Sequence, residues 1–299
     1  MADIVTHNTA VTRFVDGEGL RYAYRTLGPA GGVPLVLCHR FRGTMDDWDP
    51  AVVDGLATRR RVILFDNAGV GLSTGETPDS VKGMADRAAQ FIRLIGFKSV
   101  DLLGFSLGGY VGQIIALDHP GLVRRLVLAG TGPGGGEGIV PAGPEIRRIA
   151  GRSVLGLEEY LQLFFCSSSS SQAAGRRYWQ RVHERGPERE PPVSQATLKA
   201  QTAAVVAWAQ GRGSAVTRLG EIGQPVLVAN GNDDIMIPTV NSFVMARKMR
   251  NAMLIMYPDS GHGFLFQHAR TFTRHVLGFL DYAAPEPTDR GAHARSNEN

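Results

Sequence analysis

The chain has 299 residues, 43% of them hydrophobic and 20% charged, and a formal net charge of +4. These proportions exclude a disordered or fibrous chain and leave room for one large α/β domain or two average ones. The basic residues come in scattered pairs, such as Arg124-Arg125, Arg147-Arg148 and Arg176-Arg177, expected on solvated helix faces rather than in the dense stripe that a nucleic-acid partner requires.

Residues 11 to 28 contain two short alternating segments, VTRFV and LRYAYRTL, around Asp16-Gly17-Glu18-Gly19, the pattern of an antiparallel hairpin. The pattern then changes to unbroken apolar runs, PLVLCH, RVILFD, VDLLGF and RRLVLAG, between residues 34 and 130. Runs that are apolar on both faces belong to a buried parallel sheet. The pieces between them, 47 to 58, 79 to 96 and 107 to 118, carry apolar residues at helical spacing, as in Met84, Ala88, Phe91, Ile92 and Ile95. Strand and helix in alternation predict βαβ units and a doubly wound α/β fold, a mostly parallel sheet flanked by helices.

The alternation stops near Thr131-Gly132-Pro133-Gly134, and from 135 to 222 only helical patterns follow. This stretch reads as a helical cap inserted between a first core part, 1 to 134, and a second, 223 to 284. Its aromatics include Tyr160, Phe164, Phe165, Tyr178, Trp179 and Trp208. Each alone is expected to pack the cap's own small core, while as a group some of them face a pocket. The serine run 167 to 171 reads as a loop. Strand patterns return with PVLVANG (225 to 231) and AMLIMYP (252 to 258), with helices near 239 to 249 and 264 to 282. The tail from 285 to 299, polar and without periodicity, is expected to be disordered.

Cys38 and Cys166 share no CxxC or Cys/His ligand spacing, so zinc and redox motifs are absent; no metal or organic cofactor is implied elsewhere in the chain. The start, MADIVTHNTAVTRFVDG, lacks the basic and apolar regions of a signal peptide, and no apolar run reaches the roughly eighteen residues that span a bilayer. Cytoplasmic residence without a membrane partner is the expectation.

The segment VDLLGFSLGGYVGQIIALDHP takes a buried strand through Gly104-Phe105-Ser106-Leu107-Gly108 directly into a helix. A serine on so sharp a turn needs small residues two positions before and after it, which is the GxSxG nucleophile elbow. The helix start also sets backbone N–H groups and a positive dipole end beside Ser106, favouring an anion there.

At this point the sequence resembles the α/β-hydrolase superfamily, from the hairpin near residue 11 to the last helix near 282. In that family the acid follows the strand after the cap, and GNDDIMIP places Asp234 there, with Asp233 as a less well spaced neighbour. The base belongs to the loop after the last strand, where PDSGHG supplies His262; His119, His275 and the others fall on helix or helix-end patterns. The order Ser, Asp, His is the family's own. The resemblance implies that His262 takes the Ser106 proton while Asp234 holds the imidazole tautomer. Backbone N–H groups of Phe41 and Leu107 would form the oxyanion hole, each donor worth about 3 to 4 kcal/mol.

One departure stands out. The family's His-Gly-x-x-Gly loop reads His39-Arg40-Phe41-Arg42-Gly43, with arginine where glycine is common. Arg40 is expected to turn to solvent or pair with Asp46 or Asp47, the alternative being a cation aimed at the pocket mouth. Serine at 106 disfavours the dehalogenase and epoxide-hydrolase branches, whose nucleophile is aspartate. The function implied is hydrolysis of an ester or lactone of a small, mostly apolar molecule through an acyl-enzyme. A cofactor-free haloperoxidase or perhydrolase, or an acyltransferase, is the alternative within the fold, and a lyase or a non-catalytic ligand-binding protein the alternative outside that chemistry. The expected partner is that small molecule, with a homodimer left open.

Overall fold

Strands of branched apolar residues with no polar face must be covered on both sides, and this requirement organises the molecule. The computed structural model describes residues 5–136, 143–152 and 154–282. Its strands are β1 (Arg13–Gly17), β2 (Leu20–Leu27), β3 (Leu35–Cys38), β4 (Val62–Phe65), β5 (Val100–Phe105), β6 (Val123–Ala129), β7 (Val226–Gly231) and β8 (Ala252–Tyr257). They form one sheet in the order β1-β2-β4-β3-β5-β6-β7-β8. The hairpin strand β2 pairs antiparallel with β1 and β4, and the pairs from β4 through β3 to β8 are parallel. Glu18 and Gly19 join β1 to β2, both at positive φ, as a two-residue turn that follows the strands' twist demands.

Helices cover the two faces. On one lie α2 (Val81–Leu94), α3 (Leu107–Asp118) and α8 (Val240–Lys248); on the other α1 (Pro50–Ala57), α9 (Phe264–Gln267) and α10 (Ala269–Asp281). Between β6 and β7 run α4 (Pro144–Ala150), α5 (Leu157–Phe164), α6 (Ser169–His183) and α7 (Gln195–Ala209), with no strand among the described residues there. The expected tail from 285 to 299 lies outside the described residues. No helix among the described residues is long and apolar enough to cross a membrane.

Three expectations are corrected. The serine run is not a loop: Ser168 caps α6 by accepting from the Ser171 N–H, so the helix begins at Ser169, inside the run. The last helix is interrupted at His268, whose φ of −105° and ψ of 33° leave the helical region while its ring meets the Pro258 carbonyl at 3.0 Å. Arg124 and Arg125 lie on β6 rather than on a helix face, and Arg124 grips the buried Asp101 with two bonds of 2.9 and 2.5 Å.

The α2 face is pinned by Phe91, fully buried and stacked on Phe65 at 4.4 Å between ring centres, with Tyr22 at 5.6 Å. Phe91→Ala is expected to lower the unfolding free energy by about 3 to 5 kcal/mol, from lost burial plus the cavity left behind, as read from urea denaturation.

Candidate active site

Strand β5 ends at Phe105 and α3 begins at Leu107, so Ser106 alone turns the chain, at φ 56° and ψ −118°. A non-glycine residue held there costs on the order of 1–3 kcal/mol and persists only where its surroundings enforce it. Here they do. The Ser106 N–H donates to the Ala129 carbonyl at 2.9 Å, and its own carbonyl accepts from Gly109 N–H at 2.8 Å and from Thr131 Oγ1 at 2.9 Å. The flanking glycines are needed for close approach: a Cβ on Gly104 would lie 2.3 Å from the Gly108 carbonyl oxygen, and one on Gly108 would lie 2.0 Å from that of Cys38. That second contact sets the start of α3 against the end of β3, next to the loop holding Phe41.

Asp234 and His262 come together from the loops after β7 and β8. Asp234 is 5% exposed and His262 1%, and His262 Nδ1 lies 2.8 Å from Asp234 Oδ2. The other carboxylate oxygen accepts from the Met236 and Ile237 N–H groups at 2.8 and 2.9 Å, which fixes the carboxylate's plane. An Nδ1–H donated to Asp234 leaves Nε2 as the basic nitrogen. Asp233 is exposed, its backbone N–H donating to the Ser260 carbonyl at 3.0 Å, so it is Asp234 that meets the imidazole. The ring sits between Phe105, 5.0 Å away, and Phe164, edge-on at 5.3 Å. The imidazole thus packs on Phe105, the residue immediately before Ser106, and no hydrogen bond joins His262 to Ser106 among the described residues; catalytic hydrogen bonds often tighten only when substrate binds. His119 and His275 stand apart, at Arg93 and at the Tyr257 hydroxyl.

The N–H groups of Phe41 and Leu107 have no protein acceptor among the described residues. Leu107 opens α3, where the first N–H groups have no partner within the helix. Arg40 does not reach solvent. It is 4% exposed, lies 3.4 Å from Asp47, donates to the Tyr160 hydroxyl at 2.7 Å, and stacks its guanidinium over Tyr160 and Phe164. Asp46 is taken instead by Arg25. Burial and the Arg40 charge push the His39 imidazole well below its usual range, so it stays neutral.

The aromatics between β6 and β7 divide their tasks. Tyr160, Tyr178 and Trp179 line a cavity of about 570 Å³, shared with Val182 and Pro192, whereas Trp208 is fully buried and stacks on Tyr110 of α3 at 5.0 Å. Tyr160 links that cavity to the imidazole, since its ring stacks on Phe164. Among the described residues no three His, Cys, Asp or Glu side chains gather as a metal would require. Arg40, Asp47 and Gln201 complete the surroundings of the loop after β3, and Gln201 carried no sequence signal, because its partner is 159 residues away.

A family model described as the alpha/beta hydrolase fold matches residues 33–269. A solved α/β hydrolase fold protein from Chitinophaga pinensis is 35% identical, with a TM-score of 0.87 over 93% of this chain and 99% of that one. A protein of Variovorax paradoxus (strain S110) bearing the name of a carbamate hydrolase, RutD, is 27% identical, covering 86% of this chain and 95% of its own. The poly(3-hydroxyalkanoate) depolymerase of Ectopseudomonas oleovorans is also 27% identical, covering 89% and 90%.

Asp47 carries the electrostatics of the neighbourhood. Burial opposes its charge, but Arg40, together with Arg189 at 2.7 Å, outweighs burial and holds the carboxyl below the usual range. A depressed carboxyl adds stability above its unfolded value, near pH 3.9, and loses it as pH falls toward the folded value. Asp47→Asn should therefore destabilise the protein at neutral pH, with the gap to wild type narrowing only below about pH 4 in urea titrations run at a series of pH values.

Proposed function

The chain belongs to the α/β hydrolase fold family, and from that premise we propose that it is a serine hydrolase cleaving a carboxylic ester or lactone of a small, mostly apolar molecule through an acyl-enzyme. The observation that carries this reading is the buried 2.8 Å contact of His262 with Asp234, its ring packed on Phe105, the residue before a serine held at φ 56°. Strain of this kind concentrates where chemistry is done.

In this mechanism His262 Nε2 takes the proton of Ser106 Oγ as the oxygen attacks the carbonyl carbon. Asp234 stabilises the imidazolium through Nδ1–H without itself being protonated. The carbonyl electrons move onto oxygen, and the Phe41 and Leu107 N–H groups receive the resulting charge. Collapse expels the alkoxide, which His262 protonates, and water repeats the sequence to release the acid. The apolar part of the substrate fits the cavity of Tyr160, Tyr178, Trp179 and Val182. Phe164 and Phe105 keep water from the imidazole and strengthen its bond to Asp234.

The test is turnover of a panel of p-nitrophenyl esters and simple lactones by the wild type, Ser106→Ala and Asp234→Asn. Both variants should lose about 10³- to 10⁴-fold or more in kcat. Turnover that survives Ser106→Ala would remove the serine from the mechanism and with it this reading.

A further inference from the structure

The arginines at 40 and 42 are explained neither by the sheet nor by the steps above, and both are tied to the helices between β6 and β7. The Gly43 N–H donates to the Arg40 carbonyl at 3.1 Å, closing residues 40–43 into a turn. Its third residue, Arg42, has a φ of 62°. A turn with positive φ at that position normally places glycine there, because a side chain is strained. Arg42 is kept in place by its surroundings. Its N–H donates to Gln201 Oε1 of α7 at 2.8 Å, and its Nη1 donates to the carbonyl of Arg152 at 2.6 Å.

The other side of the same peptide group is held as well. The Phe41 carbonyl accepts from Arg40 Nη1 at 2.9 Å, while Arg40 Nη2 is anchored on the Tyr160 hydroxyl of α5. The peptide between Phe41 and Arg42 is thus clamped at both ends, its oxygen through Arg40 and Tyr160 and its N–H through Gln201. Released, that peptide would flip toward the commoner turn in which Arg42 takes negative φ, and the turn that holds Phe41 would lose its anchors on α5 and α7. The Phe41 N–H, like that of Leu107, has no acceptor among the described residues.

We infer that the helical insertion sets the oxyanion donor at Phe41, with Gln201 and Tyr160 as positioning residues for the chemical step; this rests on the reading of Phe41 and Leu107 given above. Ser106 is 9% exposed, and the cavity between Arg40, Leu107, Gly108 and Gln201 has about 40 Å³, room for a water but not for an acyl group. A substrate that reaches Ser106 therefore meets a turn already held by the insertion.

The experiment is the kinetics of Ser106 labelling by a fluorophosphonate, which needs no knowledge of the natural substrate. Oγ bonds to phosphorus, fluoride leaves, the proton passes to His262 and the phosphoryl oxygen takes the oxyanion position. Gln201→Leu should lower the maximal labelling rate about 10- to 100-fold while the concentration for half-maximal rate stays within about 3-fold. Gln201→Glu, which keeps an acceptor for the Arg42 N–H, should remain within about 3-fold of wild type. In an Arg42→Gly background, where positive φ carries no strain, the Gln201→Leu loss should shrink to about 3-fold or less. A Gln201→Leu protein that labels at the wild-type maximal rate, or an equal loss in the Arg42→Gly background, overturns the inference and leaves the hydrolase reading standing. A wild type that does not label at all overturns the nucleophile reading beneath both.

Discussion

The approach of α3 to the end of β3 is the contact on which the site depends. A methyl group on Gly108 would sit 2.0 Å from the Cys38 carbonyl, so at that point backbone lies against backbone. This single proximity places Ser106 on its turn and sets the start of α3 against the backbone at the end of β3 and the start of the loop that follows it. Buried strands β3 and β5, paired in register from Leu35–Asp101 to Cys38–Gly104, supply the rigidity that keeps the strained serine from relaxing. Strain of this size survives only where many buried contacts would be lost together on its release.

Most of the sheet could be read from residue pattern alone, because period-two hairpins and doubly apolar runs have few other resting places. The elbow was legible for the same reason, since glycine at 104 and 108 answers a steric demand that is local in sequence. Asp234 and His262 were legible only through position relative to strands. Whether they meet depends on loops 28 residues apart, and the structure closes that distance to 2.8 Å. The serine run misled because cap chemistry and loop chemistry use the same residues; Ser168 satisfies a helix N–H where a flexible linker was expected. For Arg40 the pairing with Asp47 was legible and the structure shows it at 3.4 Å, but its burial against Tyr160 and Phe164 was not, since those partners lie more than a hundred residues away in another segment.

Electrostatics fix how the helical insertion sits on the core. Three aspartates follow the Arg40–Gly43 turn, and arginines four residues apart, from the end of α6 onward, reach them: Arg181 meets Asp49 at 2.6 Å, Arg185 meets Asp46 at 3.6 Å, and Arg189 meets Asp47 at 2.7 Å. Arg25 of β2 joins Asp46 and also Glu190, at 3.1 Å, so the cluster spans sheet and insertion. Buried ion pairs add little net stability compared with apolar packing, but losing one partner strands the other charge. Their arrangement therefore works less as adhesive than as a register, admitting one placement of α6 over the site.

That register bears on why an arginine stands where glycine would give the loop its freedom. A glycine at 40 leaves the loop conformation to the backbone alone, independent of what lies above it. Arginine at 40 instead makes the loop's geometry conditional: its charge is tolerable only with Asp47 at 3.4 Å, the Tyr160 hydroxyl at 2.7 Å and two aromatic faces around it, and α5 contributes Tyr160 and Phe164. Phe164 also rests edge-on against His262, and its carbonyl accepts from the Gly263 N–H at 2.7 Å. One helix thus touches the loop after β3 through Tyr160 and the loop after β8 through Phe164, so displacement of α5 cannot disturb one loop without disturbing the other.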